Sequence, residues 1–188
     1  MILYSFIIIF TVLIISLYGF FILGNSFFVT FGYAWLGVLY EIILNSIIAI
    51  VFGKLVTSKI FNKDSKFYKT TKFELKFYNF IKIKKWKDKV LELGIFGGFR
   101  KNKLKDTKDQ EYLNKFILEI NKGIVVHFIS IFICVFILII PPLINLYYIT
   151  IPIIIVAIVL NLLPLFVLKF IRPKMLKLKE YNQKRNKA

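Results

Sequence analysis

Hydrophobic residues fall in four long runs, two towards each end of the chain, with a block between them in which lysine recurs every few positions. A membrane span takes roughly 20 consecutive apolar residues. Ile2 to Leu23 forms one such run, and a second lies within Ser26 to Phe52. The third extends from Gly123 to about Ile140 and the fourth from about Ile149 to Leu168. This pattern predicts an all-α fold: a four-helix transmembrane protein with amphipathic interfacial helices in a basic cytoplasmic loop. The segments are a two-span hairpin over 1–53, a basic cytoplasmic or interfacial segment over 54–122, a second two-span hairpin over 123–170 and a basic tail over 171–188. The first run has no basic stretch ahead of it and no small-residue cleavage pattern, so it reads as a retained helix rather than a signal peptide.

Within the middle block the period changes. Lys72-Phe73-Glu74-Leu75-Lys76-Phe77 alternates charged and apolar residues, a strand-like period of two. From Ile83 the spacing of Ile83, Trp86, Val90 and Leu93 makes one stripe on a helix, rimmed by lysines, which suits the bilayer interface. Gly94, Gly97 and Gly98 then break the pattern. Thr107-Lys108-Asp109-Gln110 has the form of a capping box. It opens a helix with an apolar face of Tyr112, Leu113, Phe116, Ile117 and Ile120, which runs on into the third span. The tail after Pro173 reads as a fraying basic amphipathic helix.

Composition and charge fix the class and the orientation. Hydrophobic residues make up 58% of the chain and mean hydropathy is +0.72, beyond what a soluble core can hide. Residues 1–53 carry no Lys or Arg and one acid, Glu41, whereas residues 54–122 carry 19 basic and 8 acidic residues. The tail from Lys169 adds 8 basic residues and 1 acid. Lys/Arg-rich loops stay on the cytoplasmic side, so a multi-pass protein of the cell membrane with both termini in the cytoplasm is expected. The lipid bilayer is the first partner implied, because juxtamembrane lysines are attracted to anionic lipid at roughly 1 kcal/mol each. No nucleic-acid partner is expected, since the same lysines and aromatics suit an interface. The glycine stretch lacks the Lys-Ser/Thr of a phosphate loop. The single cysteine, Cys134, forms no internal disulfide, and one histidine does not make a zinc site. Neither a metal nor a cofactor is expected.

Polar residues inside a bilayer are costly and so are functional suspects. Glu41 and Asn45 share one face of the second span. His127 lies about one turn inside the third span. Asn161 lies in the fourth, with Lys169 and Arg172 at its cytoplasmic end. The structural alternative is an interhelical hydrogen bond for Glu41 and Asn45, and charge anchoring by snorkelling for Lys169 and Arg172. His127 is the sharpest candidate for chemistry, because imidazole is the usual general base near neutral pH.

Together these residues resemble a known family. The run Lys76-Phe77-Tyr78-Asn79, followed by Ile81-Lys82-Ile83-Lys84-Lys85-Trp86-Lys87-Asp88-Lys89, is similar to a signature of the glycosyl-4,4'-diaponeurosporenoate acyltransferase family, small bacterial membrane proteins named for acylating the sugar of a glycosylated carotenoid. The family's second element, E-T-x-R-x-E-x-x-H-W, is similar to Glu119 through Phe128. Its third, N-x-P followed by Q-R-Y-N-R-P-R, is similar to Asn161 to Pro164 and Leu168 to Lys174. Ile124 stands where the family has a second glutamate, Lys122 for its arginine, and Leu168 and Ile171 for its Gln and second Asn. The resemblance implies an acyl transfer to a hydroxyl of a glycosylated or otherwise polar lipid-linked acceptor. The acyl donor would be acyl-CoA or a phospholipid. It implies catalytic roles for His127 as base and Glu119 as its orienting or tuning group. Lys122, Asn161, Lys169, Arg172 and Trp86 become the substrate-binding residues. On an unbroken helix Glu119 and His127 differ by about 80°, so they are neighbours only loosely. The rival reading is a non-catalytic small membrane protein, an accessory subunit or anionic-lipid-binding module; a transporter fits less well, although Pro152 and Pro164 would break the fourth span.

Overall fold

A computed structural model of the chain describes residues 2–56, 58–61, 65–90, 108–141 and 143–185. Among them there are helices and turns but no strand. Helix α1 spans Ile2–Phe21, and α2 spans Phe27–Ile50 and continues as a π-helical turn, Val51–Leu55. A single turn, α3, covers Ser58–Phe61, followed by a 3-10 turn at Lys66–Tyr68. Helix α4 is Lys72–Phe80, and α5 is one turn at Ile83–Trp86 with a 3-10 turn at Lys87–Lys89. Helix α6, Gln110–Ile133, tightens into a 3-10 helix at Cys134–Ile139, and α7 runs from Tyr147 to Arg185. Four segments are long and apolar enough to cross a membrane: Leu3–Phe21, Phe27–Gly53, Gln110–Ile139 and Tyr147–Arg185. The protein is an all-helical, multi-pass membrane protein.

The chain forms two compact units, one of Met1–Val51 with Phe128–Leu162 and one of Phe52–His127 with Leu163–Ala188. The first is built from the apolar runs. Val12, Ile15, Ala34, Val38, Ile137 and Ile153 make its core. The α2 backbone comes close at Gly37, where a β-carbon would lie 2.7 Å from Ile153 Cδ1 and 3.1 Å from Ile137 Cδ1. Phe6, Phe10, Phe21 and Phe28 point outward and are largely exposed, as lipid-facing side chains are. Two hydroxyls bond back within their own helix: Ser16 Oγ donates to the Val12 carbonyl at 2.7 Å and Thr11 Oγ1 to that of Ile7 at 2.8 Å.

The second unit holds the basic block. Here the strand-like reading of 72–77 is overturned, because these residues form the first two turns of α4. The deciding signal is the T-x-x-E of Thr71 and Glu74. Thr71 Oγ1 accepts from the Glu74 amide at 3.1 Å, and Glu74 Oε2 accepts from the Thr71 amide at 2.7 Å. That capping box satisfies two orphan amides and outweighs a six-residue alternation. Lys82 closes α4 in the left-handed region at φ 51 and redirects the chain into α5. The long interfacial helix expected from Ile83 is also corrected: α5 is a single turn and Val90 is extended. Ile83 and Val90 are buried in the protein rather than presented to lipid. Leu93, the glycine stretch 94–99 and Thr107 lie outside the described residues. At the start of α6, Asp109 Oδ1 caps the Glu111 amide at 2.8 Å, and Leu113, Phe116, Ile117 and Ile120 are buried as their spacing predicts.

Three prolines sit inside α7 without ending it, and the tail is the continuation of this helix to Arg185. A helical proline frees the carbonyl four residues earlier. Pro164 frees that of Leu160, which accepts from Tyr4 Oη at 3.4 Å; Pro173 frees that of Lys169, which accepts from Thr70 Oγ1 at 2.7 Å. Donors from other elements replace the missing amides, as spans require away from water.

Candidate functional site

The second unit gathers most of the candidate residues around the facing stretches of α6 and α7. Gly123 permits that approach: a β-carbon there would lie 2.8 Å from Leu168 Cδ1. Two residues before it on α6, Asn121 meets Arg172 of α7. Arg172 Nε donates to Asn121 Oδ1 at 2.7 Å, and its Nη1 donates to the Tyr68 carbonyl at 3.2 Å. The guanidinium also lies 5.5 Å from the centre of the Tyr68 ring. Asn121 Nδ2 donates to the Phe61 carbonyl at 2.6 Å. Arg172 is 3% exposed and Asn121 2%. The network ties α6, α7, α3 and the Lys66–Tyr68 turn together. In this structure the Arg172 side chain is buried and bonded to internal acceptors.

Lys169, one turn earlier on α7, pairs with Glu74 Oε1 at 2.6 Å. Glu74 is thus both the cap of α4 and the counter-ion of α7. Burial alone would raise its carboxyl, but the Lys169 and Thr71 hydrogen bonds outweigh it and hold the group below the ordinary carboxylate range. The same face of α4 places Tyr78 against Phe166 and Phe170, with ring centres 5.7 and 6.2 Å apart. Burial, with the Glu74 charge beside it, pushes the Tyr78 phenol well above its ordinary value. The Tyr68 phenol is raised by burial, with the Arg172 charge pulling the other way.

On α6, Lys122 Nζ lies 3.0 Å from Glu119 Oε1 and 3.4 Å from the Gly53 carbonyl in the π-helical turn. Glu119 and His127 are eight residues apart on one unbroken helix, about 12 Å along its axis. The Glu119 carboxylate is engaged with Lys122 instead. His127 is half-buried, one turn beyond Gly123 on the same face. Trp86 is half-buried and donates from Nε1 to the Ile81 carbonyl at 2.9 Å, closing the α4–α5 turn. Asn161 belongs to the first unit, where Nδ2 donates to the Ala157 carbonyl at 3.0 Å. Among the described residues no three His, Cys, Asp or Glu side chains cluster as metal ligands.

Against known proteins, the family model for glycosyl-4,4'-diaponeurosporenoate acyltransferase matches residues 64–180, well over half of the chain. The chain belongs to this acyltransferase family. The match runs from the basic block through α7, and takes in Trp86, Glu119, Lys122, His127, Asn161, Lys169 and Arg172. Among curated proteins and solved structures none matches significantly. The family's name points to acyl transfer onto a glycosylated carotenoid-like acceptor.

Asn121, Glu74, Thr70 and Tyr68 enter the site without having been singled out from the sequence. For Glu74 the signal was present in the T-x-x-E spacing. For Asn121 and the Tyr68 carbonyl nothing local marks a partner 51 or 104 positions away.

Proposed function

We propose that the protein is an acyltransferase that moves a fatty acyl group from a thioester or ester donor to a hydroxyl of a glycosylated or otherwise polar lipid, with His127 as general base. The observation that carries this reading is the family match across 64–180, which includes the chain's one histidine. Neutral imidazole takes the acceptor's hydroxyl proton while the oxygen attacks the acyl carbonyl carbon. The tetrahedral intermediate then collapses, the bond to the donor's sulfur or oxygen breaks, and the imidazolium returns the proton to that leaving group. Such assistance is worth roughly 10²–10⁴-fold.

In this reading the other residues take parts different from those the resemblance implies. Glu119 acts through Lys122, fixing the ammonium near the π-helical turn, rather than by touching the imidazole. Lys169 and Arg172 frame the site from internal bonds. The anionic part of the donor, a coenzyme A phosphate or a phospholipid headgroup, falls to the exposed lysines at α5, Lys82 just before it and Lys84 and Lys85 within it. Cell-membrane location with both termini cytoplasmic is part of the proposal and rests on the charge distribution.

A second reading, a non-catalytic lipid-binding relative, is favoured by Ile124. This residue stands where the family carries a glutamate, three positions before His127, and is fully buried. Comparative lipid mass spectrometry separates the two readings in cells expressing wild type or His127→Ala at equal membrane abundance. A lipid heavier by one acyl group, present only with wild type, is expected. Identical profiles in a host containing the glycolipid acceptor would favour the non-catalytic reading.

A further inference from the structure

Helix α4 has two unlike faces. One carries Glu74 and Tyr78 and is fastened to α7 at Phe166, Lys169 and Phe170. On the other, Phe73, Phe77 and Phe80 fall within about 60° of one another, and Phe77, at the edge of this stripe, also meets Phe166 of α7 with ring centres 5.5 Å apart. They are 79%, 37% and 83% exposed, although phenylalanine is costly to leave in water. The fastening also sets a depth. Phe166 to Phe170 is where the apolar run of α7 ends and its first lysine appears, so α4 lies at the level where a span leaves the hydrocarbon. Exposed Lys72 and Lys76 flank the phenylalanine stripe, and exposed Lys82, Lys84 and Lys85 follow it. Across 65–90 there are nine lysines and two acids, and those acids, Glu74 and Asp88, are paired with Lys169 and Lys87.

We propose that α4 lies in the headgroup boundary of an anionic bilayer, with Phe73, Phe77 and Phe80 in the acyl region and Lys72 and Lys76 at the phosphates. The exposed stripe and the depth set by α7 specify a lipid surface. The lysine flanks specify its charge. This inference goes beyond the acyl-transfer reading and does not depend on it. It assigns α4 the job of holding the basic unit at a fixed height on the membrane.

The test is depth measurement on the full chain in proteoliposomes of phosphatidylcholine and phosphatidylglycerol. In a Cys134→Ala background, single cysteines at 72, 73, 76, 77 and 80 carry a nitroxide, and collision with oxygen is compared with collision with a water-soluble nickel chelate. Positions 73, 77 and 80 are expected to favour oxygen, about 5–10 Å below the phosphates. Positions 72 and 76 are expected to favour the chelate. Replacing phosphatidylglycerol with phosphatidylcholine should move 73 and 80 towards the chelate. Equal chelate access at 73, 76 and 80 would overturn the proposal, as would unchanged depth without the anionic lipid. Labels at 73 and 80 shielded from both reagents would overturn it in favour of a protein partner on this face. A monodisperse elution profile for each variant confirms that the readings come from folded protein.

Discussion

Removing either member of the Arg172–Asn121 pair perturbs the second unit in ways that differ measurably. Asn121→Leu deletes the acceptor of Arg172 Nε and the donor to the Phe61 carbonyl, and it leaves a guanidinium buried at 3% exposure with an orphaned N–H. Leaving a buried donor on a charged group without its acceptor costs about 1–3 kcal/mol or more. Arg172→Leu removes the charge along with its bonds. Asn121 Oδ1 and the Tyr68 carbonyl then lack a donor, at about 1–3 kcal/mol each. When both residues become leucine, neither the orphaned charge nor the orphaned amide oxygen remains. The double variant is therefore expected to be destabilised by about 2 kcal/mol less than the sum of the two single costs. Unfolding in mixed micelles, followed by tryptophan fluorescence, supplies the four free energies of the cycle. Strict additivity would refute the bonded network, and so would a negligible cost for Asn121→Leu.

Other outcomes follow from the same geometry. Both carboxyl oxygens of Glu41 are buried without a hydrogen-bond partner among the described residues, so Glu41→Met is expected to stabilise the first unit by about 1–3 kcal/mol in the same unfolding assay. The folded-state carboxyl of Glu74 titrates below its ordinary value. Its contribution is therefore complete above that ordinary value and is lost as pH falls through the depressed one. Glu74→Gln should lower stability at pH 7 and flatten the acid limb of a stability-against-pH curve, leaving the two proteins alike at the lowest pH. Thr70→Val takes away the donor to the carbonyl that Pro173 frees, and a loss of about 1 kcal/mol is expected. Adding Pro173→Ala restores the helix's own amide and should cancel most of that loss.

The four spans were legible because the bilayer imposes a one-dimensional rule: long apolar runs, with charges only where water is. The unbroken passage of α6 through Gly123 and its buried face at Leu113, Phe116, Ile117 and Ile120 were legible for a related reason, since helical spacing persists over many turns. Short pieces misled. Six alternating residues at 72–77 read as a strand, yet one cap at Thr71 and an anchor at Lys169 settle them as helix. The stripe from Ile83 read as lipid-facing because a sequence cannot say which side of an amphipathic turn meets protein. Prolines 152 and 164 looked like breaks, because the replacement donor at Leu160, the Tyr4 hydroxyl, comes from the far end of the chain. The burial of Arg172 was not legible for the same reason, since its acceptors are distant in sequence. His127 was legible as the one imidazole, and the Glu119–Lys122 pair is an i, i+3 spacing that the helix itself offers.

The most direct measurement of the acyl-transfer claim uses purified protein in proteoliposomes, given a glycosylated lipid acceptor and an acyl donor labelled in its fatty chain. Transfer of label to the acceptor is expected with wild type, reduced by about 10²–10⁴-fold in a folded His127→Ala variant. Equal transfer by the two proteins would contradict the assignment of His127, and no transfer by wild type from either acyl-CoA or phospholipid would contradict the activity itself.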